Sequence, residues 1–419
     1  MKRESARVSE TPRRIGRGMR PLKALISFEE AKRIAMDVVR PISRKEEVAL
    51  LDAPGRVAAD EVRSTIDVPP ADRAAMDGYA VVARDTAGAE RSRPVALRRL
   101  EVLHAESIPR KRVTNGYCTQ IATGSLLPMG ADAVVRVEDT QQGGDRVHIL
   151  VAVRAGQHVV ARGADIRRGS TVVRAGDLLT PAKVGAAAAI GAAHLRVYAK
   201  PRVSILTTGD EIVPPGRPIR AGQVYDINSY TIASIVRANG GDPVLLRRLS
   251  DRLGTLRSAL RRGLANDIVV FSGGSSAGER DLVVDAVRSM GDILFHGVAV
   301  KPGKPTSLGR VEGKPVLGMP GYPTSCLTNG YVLLAPMLRQ MARLPPQEPR
   351  IVEAPLGKRI ERATGRLEFH PVRITEGHAF SVFKESSAIT SMAYADGYIE
   401  IPADIDRIER GALVRVTLF

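Results

Sequence analysis

The chain has 419 residues, of which 44% are hydrophobic and 26% charged, with a formal net charge of +17. This length exceeds what one hydrophobic core usually supports, and the composition is typical of a globular protein. Cys118 and Cys326 form no paired motif, which argues against a disulfide framework and favours a reducing cytoplasm. The seven histidines lack the spacing of a structural zinc site. Since no apolar run is long enough to cross a membrane, we expect a soluble cytoplasmic protein.

The positive charge raises the question of nucleic-acid binding. Aromatic residues make up only 4% of the chain and tryptophan is absent, which leaves few rings for stacking on single strands. An arginine-rich proteome or a thermophile's ion-pair surface would also explain the charge, but attraction of an anionic substrate is the favoured interpretation. Residues 1–20 are basic and lack the apolar core of a signal peptide, so they are interpreted as a flexible tail. We expect an anionic small-molecule substrate rather than nucleic acid.

The first half of the chain predicts an elongated domain that contains a second one. Ser27 and Glu30 form a capping box that opens a helix running to about Val39. Between 67 and 158, short alternating apolar runs separated by glycine and polar turns predict a compact β-domain. A helix is predicted over 181–190. The inserted β-domain therefore divides an elongated domain into residues 21–66 and 159–200.

The second half alternates short apolar strands with helices of about ten residues. This pattern predicts a three-layer, doubly wound α/β domain over 201–343. The predicted strands are 203–206, 243–246, 267–271, 293–295 and 316–320, and the predicted helices are 228–238, 253–264, 282–290 and 325–341. Pro345-Pro346 marks a linker, and the short alternating runs of 350–419 predict a sandwich or barrel-like β-domain with the bounds 344–419.

Acidic and glycine-rich loops follow the predicted strands of the α/β domain. The carboxyl ends of parallel strands are where open α/β sheets bind ligands, because glycines let backbone N–H groups approach an anion. Carboxylates beside such a loop suit a divalent cation such as Mg²⁺. Each loop alone is equally explained by a glycine turn with solvated charges or by helix capping. The loop residues concerned are Asp210, Glu211, Asp251, Ser272, Gly273, Gly274 and Asp281, together with the loop 319–323.

The segment Lys301-Pro302-Gly303-Lys304-Pro305 is more specific. Prolines restrict the backbone and Gly303 permits a tight bend, so two ammonium groups project from a stiff loop. A rigid pair of lysines loses less entropy than a flexible pair when it binds an oxyanion. The alternative is an ordinary basic loop.

Taken together, these segments closely resemble the MoeA family of molybdopterin molybdenumtransferases, to which the gephyrin and plant Cnx E domains also belong. The resemblance covers about residues 67–325 in the family's order. The matching segments are Met76-Asp-Gly-Tyr-Ala80, Thr123-Gly124, Gly130-Ala-Asp-Ala-Val-Val135, Arg162-Gly-Ala-Asp-Ile166, Thr208-Gly-Asp-Glu211, Ser272-Gly-Gly274, Gly278-Glu-Arg-Asp281, Lys301-Pro-Gly-Lys-Pro305 and Met319-Pro-Gly-Tyr-Pro323.

The resemblance implies a multidomain α/β plus β fold with four parts. These are an elongated N-terminal domain, an inserted β-domain, a doubly wound molybdopterin-binding α/β domain and a C-terminal β-barrel-like domain. It also implies a homodimer in which the inserted domain of one chain faces the α/β site of the other. The implied reaction inserts molybdate into adenylylated molybdopterin with Mg²⁺ and releases AMP. A MogA-type adenylyltransferase is an implied partner.

The same resemblance assigns roles to individual residues. Those implied to be catalytic are Asp281, Glu211, Asp210 and Lys301. Those implied to bind substrate are Ser272, Gly273, Gly274, Lys304, Pro320, Pro323, Asp77, Thr123 and Asp165. Those implied to bind the metal are Asp251, Asp281 and Glu211. The chain departs from the usual family pattern at Tyr322, Ala164, Arg252 and Gly297.

Three alternative functions compete with this interpretation. The first is a MogA-type molybdopterin adenylyltransferase, which shares the α/β domain but has neither the long N-terminal half nor the C-terminal β-domain. The second is a non-enzymatic scaffold, against which the presence of Asp281 and both lysines argues. The third is nucleic-acid binding through the basic tail. The choice between molybdate and tungstate stays open.

Overall fold

The computed structural model describes residues 25–250, 252–273, 281–363 and 365–419. The predicted tail, Asp251 and Gly274 lie outside these ranges. The chain divides into two compact units, one formed by Lys45–Val197 and the other by Met1–Arg44 together with Tyr198–Phe419. Among the described residues, no helix has both the length and the apolar content needed to cross a membrane.

The helices and strands are numbered here in chain order. The helices are α1 Phe28–Val38, α2 Pro181–Ala189, α3 Asn228–Ala238, α4 Leu253–Gly263, α5 Leu282–Arg288, α6 Pro323–Asn329, α7 Ala335–Met341 and α8 Thr390–Ala393. The strands of the first unit are β1 Lys45–Ala49, β2 Val62–Arg63, β3 Arg73–Ala74, β4 Gly78–Val81, β5 Val95–Leu103, β6 Tyr117–Ile121, β7 Ala133–Arg136, β8 Thr140–Gly143, β9 Arg146–Ile149, β10 Val159–Val160, β11 Thr171–Val173 and β12 His194–Tyr198. Those that follow are β13 Arg202–Thr208, β14 Ile212–Val213, β15 Val224–Tyr225, β16 Asp242–Leu249, β17 Ile268–Ser272, β18 Asp292–His296, β19 Val300–Lys301, β20 Ser307–Val311, β21 Lys314–Met319, β22 Ile351–Pro355, β23 Ile360–Glu361, β24 Leu367–Thr375, β25 His378–Ser381, β26 Gly397–Ile401, β27 Arg407–Ile408 and β28 Leu413–Leu418.

The unit Lys45–Val197 contains the predicted β-rich region as a six-stranded sheet. Its strands lie in the order β7, β4, β6, β5, β9 and β8. Strand β4 is completely buried, because it lies inside the sheet and carries Tyr79 and Val81 into a core with Leu97 and Val135. The helix predicted over 181–190 is present as α2, capped by the Thr180 side chain.

The α/β domain is built on a six-stranded sheet in the order β16, β13, β17, β21, β20 and β18. Alternate residues of its strands enter opposite layers, as the two-residue period of a strand requires. Val270 packs into the core shared with α3 and α7, whereas Val269 and Phe271 pack into the core shared with α4 and α5. The predicted three-layer fold is confirmed.

Two features of this domain differ from the prediction. Strand β20 was not predicted, and it pairs antiparallel with both β21 and β18. The single helix predicted over 325–341 is α6 and α7 joined by a π-helical turn, Gly330–Leu334. Pro336 follows this turn and has no N–H to donate, which explains why regular helical hydrogen bonding is interrupted there.

The C-terminal β-domain has a sheet in the order β19, β24, β26, β28 and β22, with β25 paired to β24. Its edge strand β19 comes from the lysine loop of the α/β domain and runs parallel to β24. Helix α1, predicted as part of the elongated N-terminal domain, instead packs in the second unit. There Ala31 and Ala35 join the core of the α/β domain, and the Phe28 ring meets Phe369 at 5.0 Å.

Candidate active site

Most of the predicted site loops lie at the carboxyl edge of the α/β sheet. In the parallel registers Thr207 lies opposite Ser272, and Ser272 lies opposite Met319. Strand β18 is antiparallel to β20, which is antiparallel to β21, so β18 also ends at this edge, at His296. The lysine loop therefore begins there. Five inter-strand spacings of about 4.8 Å make this edge roughly 24 Å long.

Gly273 has a backbone conformation that a side chain would disrupt. Its φ is +92°, and an added Cβ would lie 2.4 Å from the carbonyl oxygen of Thr208. The loops after β13 and β17 are thus in backbone contact. The predicted glycine turn holds two loops of the edge together.

Asn228, at the start of α3, connects three loops of the edge. Its Nδ2 donates to Ser272 Oγ and to the Gly321 carbonyl, both at 2.8 Å. Asn228 Oδ1 and Thr208 Oγ1 are buried without a hydrogen-bond partner among the described residues. Because buried polar atoms are rarely left unpaired, these two atoms fit a ligand bound at the edge. Asn228 was not singled out from the sequence, where it is only the first residue of a predicted helix.

Asp281 is fixed at the start of α5 beside His296. Its Oδ1 accepts a hydrogen bond from the Val284 N–H at 3.0 Å and caps the helix. Its Oδ2 lies 3.2 Å from Nε2 of His296, and the carboxylate is only 13% exposed. A neighbouring imidazole and a capped helix end both favour an ordered carboxylate at the edge. Sequence analysis missed His296, since a lone histidine at a strand end carries no ligand spacing.

The two lysines have different environments. Lys301 Nζ lies 3.1 Å from Glu368 Oε2 and 5.5 Å from the centre of the Phe383 ring, whereas Lys304 is exposed. The backbone between them is closely packed, because a Cβ on Gly303 would lie 2.2 Å from Asn329 Nδ2. The loop is closely packed at Gly303, and Lys301 is already paired with a carboxylate.

Glu368 is the centre of a buried charged cluster. Besides Lys301, its carboxylate contacts His370 Nδ1 at 2.8 Å and Arg362 Nε at 2.9 Å. Burial by itself raises the pKa of Glu368, but the hydrogen bond from His370 and the interactions with His370 and Lys301 outweigh it and leave the pKa below its usual value. Glu368 is therefore an ionised buried carboxylate.

The turn after β21 is contacted by the C-terminal β-domain. Pro320 is buried, whereas Tyr322 is 64% exposed and immediately precedes Pro323, the first residue of α6. Thr324 donates its N–H to the Ser386 carbonyl at 3.0 Å and its hydroxyl to the Ala388 carbonyl at 2.8 Å. The C-terminal domain thus contacts both the lysine loop and this turn.

The carboxylates predicted to bind Mg²⁺ do not form a preassembled centre within the described ranges. Asp210 and Glu211 are exposed, and no group of three metal-ligating side chains is present among the residues the structure describes. Mg²⁺ commonly binds through one or two carboxylates plus substrate phosphates. The oxygen donors of Asp210, Glu211 and Asp281 fit that mode of binding.

The predicted residues of the inserted domain form a local pair. Asp77 Oδ1 accepts hydrogen bonds from the Thr123 N–H at 2.6 Å and from its hydroxyl at 2.8 Å. These two bonds hold the pKa of Asp77 below its usual value. Asp165 is exposed, in the same unit, and donates its N–H to the Val68 carbonyl.

Three domain families match consecutive parts of this chain. The MoeA N-terminal region (domain I and II) matches residues 26–191, a family described as "Probable molybdopterin binding domain" matches 204–340, and the MoeA C-terminal region (domain IV) matches 353–419. Together they follow the order that the sequence motifs predicted.

Individual relatives cover between 78% and 94% of the chain. Molybdopterin molybdenumtransferase 2 of Mycobacterium tuberculosis (strain H37Rv) is 34% identical over 402 residues, covering 93% of this chain and 98% of its own. Molybdopterin molybdenumtransferase of Nostoc sp. is 32% identical over 334 residues, covering 78% and 77%. Two solved structures of molybdopterin biosynthesis MoeA proteins from Pyrococcus horikoshii have TM-scores of 0.81 and 0.78 at 35% and 31% identity, and each covers 94% of this chain and at least 99% of its own.

Proposed function

Because this chain belongs to the MoeA family of molybdopterin molybdenumtransferases, we propose that it inserts molybdate into adenylylated molybdopterin and releases AMP. As a member of this family it is a transferase of molybdenum cofactor biosynthesis. The use of Mg²⁺, the release of AMP and the individual residue roles belong to the proposal.

The main support for the proposal is that the site loops lie together at one edge of the α/β sheet. A phosphoanhydride that joins a pterin to a nucleotide is elongated and multiply negative. An edge of roughly 24 Å with glycine-opened loops, acidic groups and two lysines is suited to such a ligand. Asn228 Oδ1 and Thr208 Oγ1, which have no hydrogen-bond partner among the described residues, add an acceptor and a hydroxyl for polar groups of the substrate.

The residues of the edge have separate tasks in this proposal. The N–H groups near Ser272 and Gly273 bind phosphate oxygens, as backbone donors at a glycine turn do. Lys301 and Lys304 offset the negative charge of the phosphates and of the incoming oxyanion. Pro320 and Pro323 shape the turn that positions the substrate.

Mg²⁺ would be held by Asp281 and Glu211, with Asp210 beside them and Asp251 as the fourth acidic residue implied by the resemblance. When bound, the cation withdraws charge from the phosphate oxygens and so weakens the phosphoanhydride. Asp281 is positioned for this task by its helix cap, and His296 Nε2 lies 3.2 Å from its second carboxylate oxygen.

A homodimer is also part of the proposal: Asp77 and Thr123 of the inserted domain, and Asp165 of the elongated domain, are supplied by one chain to the α/β site of the other. Mixing inactive Asp77→Asn and Asp281→Asn proteins after partial unfolding tests this arrangement. The re-paired mixture should regain up to about a quarter of the activity of the wild-type protein, since about half of its dimers are heterodimers and each heterodimer has one of its two composite sites intact. No recovery in a mixture shown to contain heterodimers would contradict it.

The reaction itself is tested with purified protein, adenylylated molybdopterin, molybdate and Mg²⁺, measuring AMP and molybdenum cofactor. We expect both products, with tungstate assayed in parallel. If the protein instead adenylylates molybdopterin with ATP and inserts no metal, it acts as the MogA-type enzyme. If neither reaction occurs, the scaffold alternative is favoured.

A further inference from the structure

The lysine loop of the α/β domain contributes a strand to the sheet of the C-terminal β-domain. Val300 and Lys301 form strand β19, which pairs with Leu367 and Glu368 of strand β24. The Leu367 N–H also donates to the Ala299 carbonyl at 3.2 Å. The backbone of Lys301 is therefore held by a domain that the sequence motifs do not connect with the site.

The side chain of Lys301 is held by the same strand. Its Nζ contacts Glu368 Oε2 at 3.1 Å. The Lys301 side chain is 32% exposed, whereas the Glu368 side chain is 2% exposed. The ammonium group thus lies at the boundary between a buried carboxylate and the open edge of the sheet. The ion pair with Glu368 and the Phe383 ring restrain the ammonium group without removing it from solvent.

Glu368 itself has little freedom to move. Arg362, which is 2% exposed, contacts Glu368 Oε2 and donates to the carbonyls of Pro402 and Ile405 at 2.7 and 3.2 Å. His370 binds the other carboxylate oxygen and, through Nε2, contacts Ser381 Oγ at 2.7 Å. A carboxylate restrained from two sides provides a rigid anchor for a lysine.

From this geometry we propose that Glu368 is a positioning residue that holds Lys301 in place for an anionic substrate. The inference rests on the proposed function, because it concerns the lysine assigned there to the phosphates or the oxyanion. A buried carboxylate also limits how far Lys301 can follow a substrate, so it defines where negative charge is accepted along the edge. The C-terminal β-domain then contributes to the site through Glu368, which positions Lys301 but does not itself contact the substrate.

The test is a double-mutant cycle in the full-length protein, measuring kcat/KM for AMP release. Glu368→Gln keeps the shape of the side chain and removes its charge, and we expect about a tenfold loss. In a Lys301→Ala background the same change should have less than about a twofold effect, because the positioned group is gone. The matched control Glu361→Gln removes an exposed carboxylate, paired with Arg359 in the same domain, and should leave kcat/KM unchanged.

A second measurement does not depend on the reaction. Acylation of lysines by a water-soluble ester, quantified by mass spectrometry, should label Lys301 several-fold faster in Glu368→Gln than in the wild type. Lys304, on the same loop, is the internal control and should not change. If Glu368→Gln fails to fold, Glu368→Asp, which draws the charge back from Lys301, replaces it in both measurements.

The outcomes are distinguishable. Equal losses from Glu368→Gln in both backgrounds would show a general structural effect and overturn the inference, as would unchanged labelling of Lys301. Suppose that the wild-type protein has no insertion activity, but Lys301 is labelled faster in Glu368→Gln than in the wild type. The proposed function would then be refuted, and the positioning contact would still be supported. Full activity of Lys301→Ala would remove the role that the inference assigns to this lysine.

Discussion

Nε2 of His296 lies 3.2 Å from Oδ2 of Asp281, at the carboxyl edge of the α/β sheet. This contact joins the end of β18 to the start of α5, and it adjoins the lysine loop that follows β18. The proposed role of Asp281 therefore depends on a histidine that no motif identifies.

We expect His296→Ala to lower kcat/KM for AMP release about tenfold, since outer partners of functional carboxylates commonly have effects of this size. Steady-state kinetics at several Mg²⁺ concentrations measures it. The control is His378→Ala, which changes an exposed histidine of the C-terminal domain. Unchanged kinetics for His296→Ala would show that the contact has no functional role.

Gly273→Ala should disrupt the edge. Alanine at a φ of +92° is strained, and its Cβ would meet the Thr208 carbonyl, so we expect a loss of more than about 2 kcal/mol in the free energy of unfolding. Gly313→Ala provides the comparison, because φ is +76° there and the space around a Cβ is open. The Gly313→Ala variant should lose only about 1 kcal/mol in the free energy of unfolding. Denaturant titration distinguishes the two, and equal losses would show that strain alone matters.

Tyr322→Asn should stabilise the protein. Tyr322 occupies the N-cap of α6 in an extended conformation, and its side chain caps no N–H. Pro323 has no N–H and the Thr324 N–H already donates to the Ser386 carbonyl, so asparagine would accept from the N–H of Ser325, a cap worth about 1 kcal/mol. Tyr322→Ala removes the ring without adding a cap and should show no such gain. A thermal denaturation series compares them, and a lower stability of the asparagine variant would contradict the prediction.

Asp267 should make stability depend on acid pH. It accepts hydrogen bonds from Arg44 at 2.6 and 2.8 Å and from the Arg202 N–H at 2.7 Å. Burial raises the pKa of Asp267, but these bonds outweigh it, so the folded-state pKa is below the ordinary 3.8. The stabilisation is therefore complete well above pH 3.8 and is lost as pH falls through the folded-state pKa.

Asp267→Asn should accordingly cost about 1.5–3 kcal/mol at pH 7, with the difference from the wild type shrinking toward acid pH. Unfolding of the α/β domain, followed in denaturant at a series of pH values, measures this. Asp292→Asn is the matched control, because Asp292 pairs with Arg310 on the surface and its side chain is 71% exposed. A pH-independent difference for Asp267→Asn would refute the electrostatic explanation.

The parts of the fold that could be predicted are those with continuous local patterns. The apolar, β-branched run of β17 and the capping box of α1 both predict their elements from a few adjacent residues. Strand β20 contains Gly309, and β19 is only two residues long, so neither has a pattern that distinguishes it from a loop. These two strands exist because neighbouring strands pair with them.

The site could be predicted as a set of loops but not as a set of contacts. Common strand direction was enough to expect Ser272 and Asp281 near one edge. The partner of Lys301, in contrast, is Glu368, in another domain and within an alternating run that resembles any strand. Contacts between distant elements depend on the packing of whole domains, which local residue patterns do not encode.

The central claim is that Asp281 helps to cleave the phosphoanhydride of adenylylated molybdopterin. Asp281→Asn tests it most directly, because asparagine can still cap α5 while it removes the charge. The measurement is the rate of AMP release with molybdate and Mg²⁺, with circular dichroism to confirm folding. We predict a loss of at least about a hundredfold; a rate equal to that of the wild-type protein would contradict the claim.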